Sequence, residues 1–261
     1  MGDKGLLLYC ITNSYDVEVT NILGLDQVNK LYYIEYKEMY GIVSDLDLDK
    51  YGEEAMESRS EDIEWLTENA KKFMDIMLAV YEKTSIIPMK FMTIFNAGHR
   101  VKNIIEENYD IFISDFERMK GRQEYSVKIY CDNKVFKKNF IGEEIQKFEK
   151  SLVGKPKGAA FFLKKKFDSE LDNEVQNKIC KIANSIVENM QKIVVDMKSN
   201  KLLAKEITNK EIPMVLNCAF IIDINEIEKI SIYIEKIKNE YKKNGFSIEV
   251  SGPWPPYNFC E

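Results

Sequence analysis

The sequence predicts an α+β protein of two domains. Three observations carry this. A length of 261 residues is enough for one large domain or two small ones and leans toward two. Short runs rich in β-branched and aromatic residues are interleaved with amphipathic helical patterns. The second half reads strand, helices, two strands, helix, strand, the order of a split βαβ or ferredoxin-like sandwich. The break between halves falls near Glu124, so the expected domains are residues 1–122 and 123–261. With 45% hydrophobic and 31% charged residues and only 12 Gly and 6 Pro, the chain is globular rather than disordered or repetitive.

The first three strands are GLLLYCIT (5–12), KLYYIEY (30–36) and MYGIVSDL (39–46), the last two close enough for a hairpin. Ser58 and Glu61 have capping-box spacing, and Ile63, Leu66, Ala70, Phe73, Met77 and Tyr81 recur at steps of three and four, which predicts an amphipathic helix. PMKFMTIF (88–95) reads as one strand. The helix after it is expected to be capped by Asn96 and to run through Val101, Ile104, Ile105 and Phe112.

In the second half, SVKIYCD (126–132) reads as a strand, 140–153 as a short helix and GKPKG (154–158) as a break. Apolar residues at Leu171, Val175, Ile179, Ile182, Ile186, Met190, Ile193 and Met197 recur about every 3.7 residues. That predicts one long, coiled-coil-like helix over about 159–199, partly projecting or paired with the 140–153 helix. KLLAKEI (201–207), PMVLNCAFIID (213–223) and FSIEV (246–250) complete the sheet, and an amphipathic helix over 226–243 ends at Asn244-Gly245.

Composition and motifs exclude several functions. The net charge of −6 repels phosphate backbones, so nucleic acid is not an expected partner. No window approaches the 18 apolar residues of a membrane span. Five widely separated cysteines, with no CxxC, form neither a disulfide framework nor a zinc site, and a reducing, cytoplasmic setting is expected. His99 is the one histidine, so any Ser-His-Asp triad would have to use it, yet it falls in a first helical turn and reads as structural or exposed. Asp45, Asp47 and Asp49 lack the Gly and terminal Glu of a calcium loop and read as a solvated acidic loop. Neither GxGxxG nor GxxxxGK occurs. No catalytic, cofactor-binding or metal-ligating set emerges, and no cofactor is expected. KGAAFF (157–162) has Ala159 where an RNA-recognition strand needs a stacking aromatic, so it reads as a packed helix start, and Lys164-Lys165-Lys166 as a solvated face.

The C-terminus is unusual. GPWPPYNF (252–259) concentrates half of the prolines and alternates them with aromatics. Since proline cannot donate to a sheet ladder, the last strand is expected to stop before it and continue as a stiff tail that anchors on the domain or presents a recognition surface.

This ending, Gly252, Pro253, Trp254, Pro255, Pro256, Tyr257 and Phe259 with Asn258, resembles the C-terminal signature of the gas vesicle protein F/L family. Further similarities lie in order along the chain: LLYCITN (7–13), GIVSDL (41–46), Trp65-Leu66, IIPMKFMTIF (86–95) with Pro88, Phe91 and Thr93, KGAAFFLKKK (157–166) with Gly158, and NCAFIID (217–223). The chain departs from the family in having Phe73-Met74 where His-Glu is common, and Met92 where Gly is common. Met92 is read as showing that this strand need not approach another backbone closely.

The resemblance implies a modified ferredoxin-like N-terminal domain and a C-terminal domain joining a ferredoxin-like fold to a coiled coil. It also implies a non-enzymatic accessory protein of gas vesicle assembly. Family members bind the small hydrophobic shell protein, gas vesicle protein A, keeping it from aggregating or seeding the shell, and other accessory proteins are implied partners. A shell subunit with an apolar strand-forming face is an aggregation hazard that a sheet edge or apolar groove can cover. The candidate surface carries Tyr32, Tyr33, Tyr36 and Tyr40. Two other readings fit the sequence: a minor structural component of the shell, and a ligand-dependent enzyme on a ferredoxin-like scaffold.

Overall fold

The computed structural model describes residues 3–260, without the side chains of residues 140, 141, 143 and 144. Contacts divide the chain into a first unit, Met1–Gln123 with Trp254–Glu261, and a second, Glu124–Pro253. The end of the tail, expected with the C-terminal domain, groups with the first unit.

The first unit holds β1 (Lys4–Thr12), β2 (Tyr32–Tyr36), β3 (Met39–Asp47), the short α1 (Leu48–Tyr51) and α2 (Glu53–Ser58), α3 (Ile63–Tyr81), β4 (Ile86–Pro88), β5 (Ile94–Phe95), α4 (Gly98–Glu107) and α5 (Tyr109–Met119). Its sheet runs β2-β3-β1-β4, with β5 also on β1. Strands taken in chain order thus lie 2-3-1-4, and a 3₁₀ turn at Val17–Asn21 stands between β1 and β2 where a split βαβ sandwich has a helix.

Two apolar layers cover this sheet. Leu7, Tyr9, Cys10, Ile42 and Leu46 pack with Phe73, Met77 and Val80 of α3, while Leu8, Ile11 and Val43 pack with Val101 and Ile105 of α4 and Phe112 and Phe116 of α5. A strict period of two would put Cys10 with Leu8. The register slips between Leu8 and Cys10, which lets Tyr9 and Cys10 join the same layer.

Tyr9 is the polar pin of that layer. It is fully buried, its Oη lies 3.0 Å from Ser44 Oγ, and it accepts the Leu25 amide at 2.7 Å. Burial, which disfavours the phenolate, pushes its pKa up from 10.0 to about 12. The neutral phenol is therefore the form the fold stabilises, and that contribution is complete below pH 10 and disappears as pH rises toward 12. We expect about 2–3 kcal/mol to be lost across that window. Tyr9→Phe should cost about 1–3 kcal/mol at neutral pH, by leaving the Leu25 amide and Ser44 unpaired, and should flatten the alkaline loss. Urea titrations followed by tryptophan fluorescence check both.

Several boundaries differ from expectation. Asp62, not the Ser58 box, caps α3: its Oδ1 accepts the Trp65 amide at 3.0 Å, because Ser58 already ends α2. The strand expected over 88–95 is split into β4 and β5 around Met92, whose φ is +63. Glycine suits this left-handed conformation better than methionine does, a backbone reason distinct from close approach. Asn96 does not cap α4; Ala97 stands at that position with no side-chain bond. Asp45 and Asp47 end β3 rather than forming a loop, and Asp47 caps α1 through the Asp49 amide.

The second unit takes in most of β6 (Arg122–Cys131), then α6 (Asn133–Leu152), α7 (Lys157–Met190), β7 (Asp196–Ser199), α8 (Lys205–Thr208), β8 (Met214–Asp223), α9 (Ile227–Tyr241) and β9 (Phe246–Trp254). The strand order β7-β8-β6-β9 is again 2-3-1-4 in chain order, the ferredoxin-like arrangement. Leu171, Val175, Ile179, Ile186 and Met190 of α7 form one stripe against Val127, Ile129, Phe220 and Ile222 of the sheet and Ile230, Ile234 and Ile237 of α9.

Here the long helix is shorter than expected. It ends at Met190, and Met197 lies in β7, whose register pairs it with Phe220. KLLAKEI is not a strand: its end forms the single turn α8. Gly245 has φ +85 and follows α9 and a short 3₁₀ turn, as expected of a C-cap. β9 runs on through Pro253 to Trp254 instead of stopping before the prolines. It is an edge strand, so the missing amide need serve no outer neighbour.

Candidate functional site

β2 is the terminal strand of the first sheet, hydrogen-bonded to β3 through Tyr32↔Val43, Tyr33↔Ile42, Ile34↔Gly41, Glu35↔Tyr40 and Tyr36↔Met39. Its β-branched and aromatic residues favour the extended conformation, and the two residues Lys37 and Glu38, with Lys37 at φ +52, turn it into β3. No further strand pairs with it among the described residues.

The period of two splits the four tyrosines. Tyr33 and Tyr40 lie on the α3 side of the sheet and meet Tyr15, with ring centroids 4.5 Å (Tyr15–Tyr33), 5.7 Å (Tyr33–Tyr40) and 6.0 Å (Tyr15–Tyr40) apart. Tyr33 donates its hydroxyl to the Asp16 carbonyl at 3.0 Å and accepts the Asp16 amide at 3.1 Å, which fixes the loop that carries Tyr15. Partial burial raises the Tyr33 pKa. Tyr15 remains 58% exposed, so the cluster has an open face.

Tyr32 and Tyr36 lie on the opposite face. Tyr32 donates to Asp45 Oδ1 at 2.9 Å, and Tyr36 to Glu106 Oε1 at 2.7 Å. Burial and the Asp45 carboxylate raise the Tyr32 pKa; the Glu106 hydrogen bond does so for Tyr36. Lys37 Nζ sits 4.5 Å from the Tyr109 ring centroid and 5.2 Å from that of Tyr36. The structure thus gathers Tyr33 and Tyr40 around Tyr15, which nothing in the spacing of the sequence singles out, and places Tyr32 and Tyr36 elsewhere. The edge offers backbone donors and acceptors together with two aromatic faces, an arrangement suited to accepting an added strand.

Among the signature residues Pro88, Phe91, Thr93, Trp254 and Tyr257 are half-buried, Gly158, Gly252 and Pro253 are exposed, and the rest lie inside the core. Pro88 pairs with Cys10. Phe91 stands edge-on to Phe73 at 5.4 Å. Thr93 bonds the Lys90 carbonyl at 2.7 Å and its own carbonyl accepts the Leu8 amide at 2.9 Å. Pro255, Pro256 and Phe259 are buried, and Tyr257 packs into the α3 layer. Pro256 also lines a groove of about 280 Å³ with Ile86, Ile87, Phe116 and Met119. Gly158 lies in the first turn of α7 with open space around it, and its neighbours Phe161 and Phe162 are 65% and 74% exposed, so this helix start is not packed as expected. His99 is exposed in the first turn of α4. No described helix is long and apolar enough to cross a membrane.

Comparison with known proteins gives one family throughout. The family model described as "Gas vesicle synthesis protein GvpL/GvpF" matches residues 5–261. Gas vesicle protein L of Haloferax mediterranei is 25% identical over 180 residues, 67% of this chain and 55% of that one. Gas vesicle protein L1 of Halobacterium salinarum is 22% identical over 98% of this chain and 90% of its own length. Among solved structures, the gas vesicle protein GvpF of Anabaena sp. PCC7120 superposes with a TM-score of 0.74 at 16% identity, over 99% of this chain and 98% of that one. GvpF of Microcystis aeruginosa gives 0.64 at 15% identity, over 98% and 99%.

Proposed function

The chain belongs to the gas vesicle synthesis protein GvpL/GvpF family, and on that premise we propose that it is a non-enzymatic accessory protein that binds the hydrophobic shell subunit, gas vesicle protein A, during assembly in the cytoplasm. The observation that supports a binding role is the open β2 edge beside the Tyr15, Tyr33 and Tyr40 cluster. A strand from the shell subunit adds to β2, its backbone completes the ladder, and its alternate side chains meet the tyrosines on the two faces. Covering such a strand one subunit at a time keeps it from pairing with its own kind before the shell can accept it.

The surface is tested by pull-down of the shell subunit on the full-length chain. Tyr15→Lys, which places a charge on the exposed ring of the cluster, should weaken capture about tenfold, close to 1.4 kcal/mol. Tyr32→Lys should weaken it on the other face. If both variants capture the shell subunit as well as the parent chain, the β2 edge is not the binding surface.

A further inference from the structure

The tip of the α6–α7 hairpin is both apolar and basic. Val153, Phe161, Phe162 and Leu163 are 83%, 65%, 74% and 38% exposed, and the two phenylalanine rings touch only edge to face, with centroids 6.0 Å apart. Deeper in the hairpin Phe148 stacks on Phe167 at 3.7 Å, so the two helices pair below the tip and leave the tip itself uncovered. Residues 147–166 hold seven lysines against a single glutamate, a charge of +6 in a chain whose net charge is −6. Everything outside this segment therefore sums to −12. Contiguous exposed aromatics ringed by like charge mark an interaction surface whose partner is apolar and acidic.

The first unit carries a surface of that description. A cleft of about 850 Å³ is walled by Leu48 and Phe95 and rimmed by Asp3, Asp49, Glu53 and Glu54, with Arg100 the one cation among the described residues that line it. Glu53 and Glu54 are exposed, in the first turn of α2.

We propose that the hairpin tip of one copy docks in this acidic cleft of a second copy, with Phe161 and Phe162 against Leu48 and Phe95 and Lys164, Lys165 and Lys166 facing the rim carboxylates. The match of charge and apolarity selects another copy over an anionic lipid surface, which the −12 of the remaining chain would repel. Such an interface is heterologous: each copy keeps one free tip and one free cleft, so association continues into rings or open chains instead of stopping at a dimer. This inference is independent of the shell-subunit reading.

Sedimentation velocity of the full-length chain tests it. We expect association that grows with protein concentration and weakens about tenfold between about 50 mM and about 500 mM salt, as screened ion pairs require. The double variants Phe161→Ser/Phe162→Ser and Glu53→Lys/Glu54→Lys should each be monomeric alone, with unchanged circular dichroism. Their equimolar mixture should form a capped 1:1 dimer through the one intact tip and the one intact cleft. Should either double variant misfold, Phe162→Ser and Glu54→Gln replace them. A chain that stays monomeric at every concentration, association that survives either variant, or a mixture that stays monomeric overturns the proposal. So does binding of a monomeric chain, through the tip, to vesicles containing phosphatidylserine.

Discussion

Phe259→Ala lowers the stability of the first unit by about 3–5 kcal/mol, the cost of emptying a site that a buried aromatic ring fills. Phe259 has no exposed surface, and the Arg118 guanidinium lies 5.9 Å from its ring centroid. Pro255 and Pro256 are buried in the same unit. Both tryptophans, Trp65 and Trp254, belong to this unit, so tryptophan fluorescence in urea reads its unfolding in the intact chain. Removing residues 254–261 should do more harm than the single substitution. A fragment ending at Gln123 should then unfold at much lower urea than the full chain, and a peptide carrying the tail should restore part of the difference. A change below about 1 kcal/mol for Phe259→Ala would mean that the tail is not part of this core.

Gly252→Ala carries the second large effect, in the second unit. Gly252 has φ +133, a conformation only glycine adopts without strain, and a Cβ there would stand 2.9 Å from the Glu124 carbonyl oxygen and 2.8 Å from Tyr125 Cδ1. The strain and the backbone contact together should cost about 3 kcal/mol or more. Gly142→Ala is the matched control: it lies inside α6 with nothing within 4 Å of its Cβ position, so alanine should gain about 1 kcal/mol from helix propensity. Hydrogen exchange of β6 and β9 amides reads both. Equal protection in the two variants would show that the backbone at Gly252 has room to relax. The positive φ and the nearby Glu124 carbonyl give the first residue of the signature a backbone reason to be glycine.

Much of this architecture is legible in the sequence where local rules decide it. The apolar stripe from Leu171 to Met190 sets α7 against the sheet, and Gly245 takes the left-handed C-cap conformation that the Asn-Gly pair suggests. What escapes a sequence reading is decided by longer-range competition. Ile193 and Met197 keep the helical phase of α7, yet Val195 already donates its amide to Ile221 and Met197 pairs with Phe220, so the chain has become sheet. Periodicity alone does not separate a continuing helix from a strand that falls in phase. Met92 breaks an otherwise continuous strand pattern by a left-handed φ that a methionine does not advertise. Tyr15 joins the candidate site only because Tyr33 holds the Asp16 backbone from both sides. The exposed tip has the opposite origin: KGAAFFLKKK has the composition of a packed helix start, and only the depth of the α6–α7 pairing shows that nothing covers Phe161 and Phe162.

The most direct measurement of the central claim is co-expression of the full-length chain with gas vesicle protein A, scoring how much shell subunit stays in the soluble fraction and copurifies with the chain. The account predicts that the shell subunit is insoluble alone and becomes soluble and bound in the presence of this chain. Shell subunit that remains insoluble, with none retained on the purified chain, would contradict it.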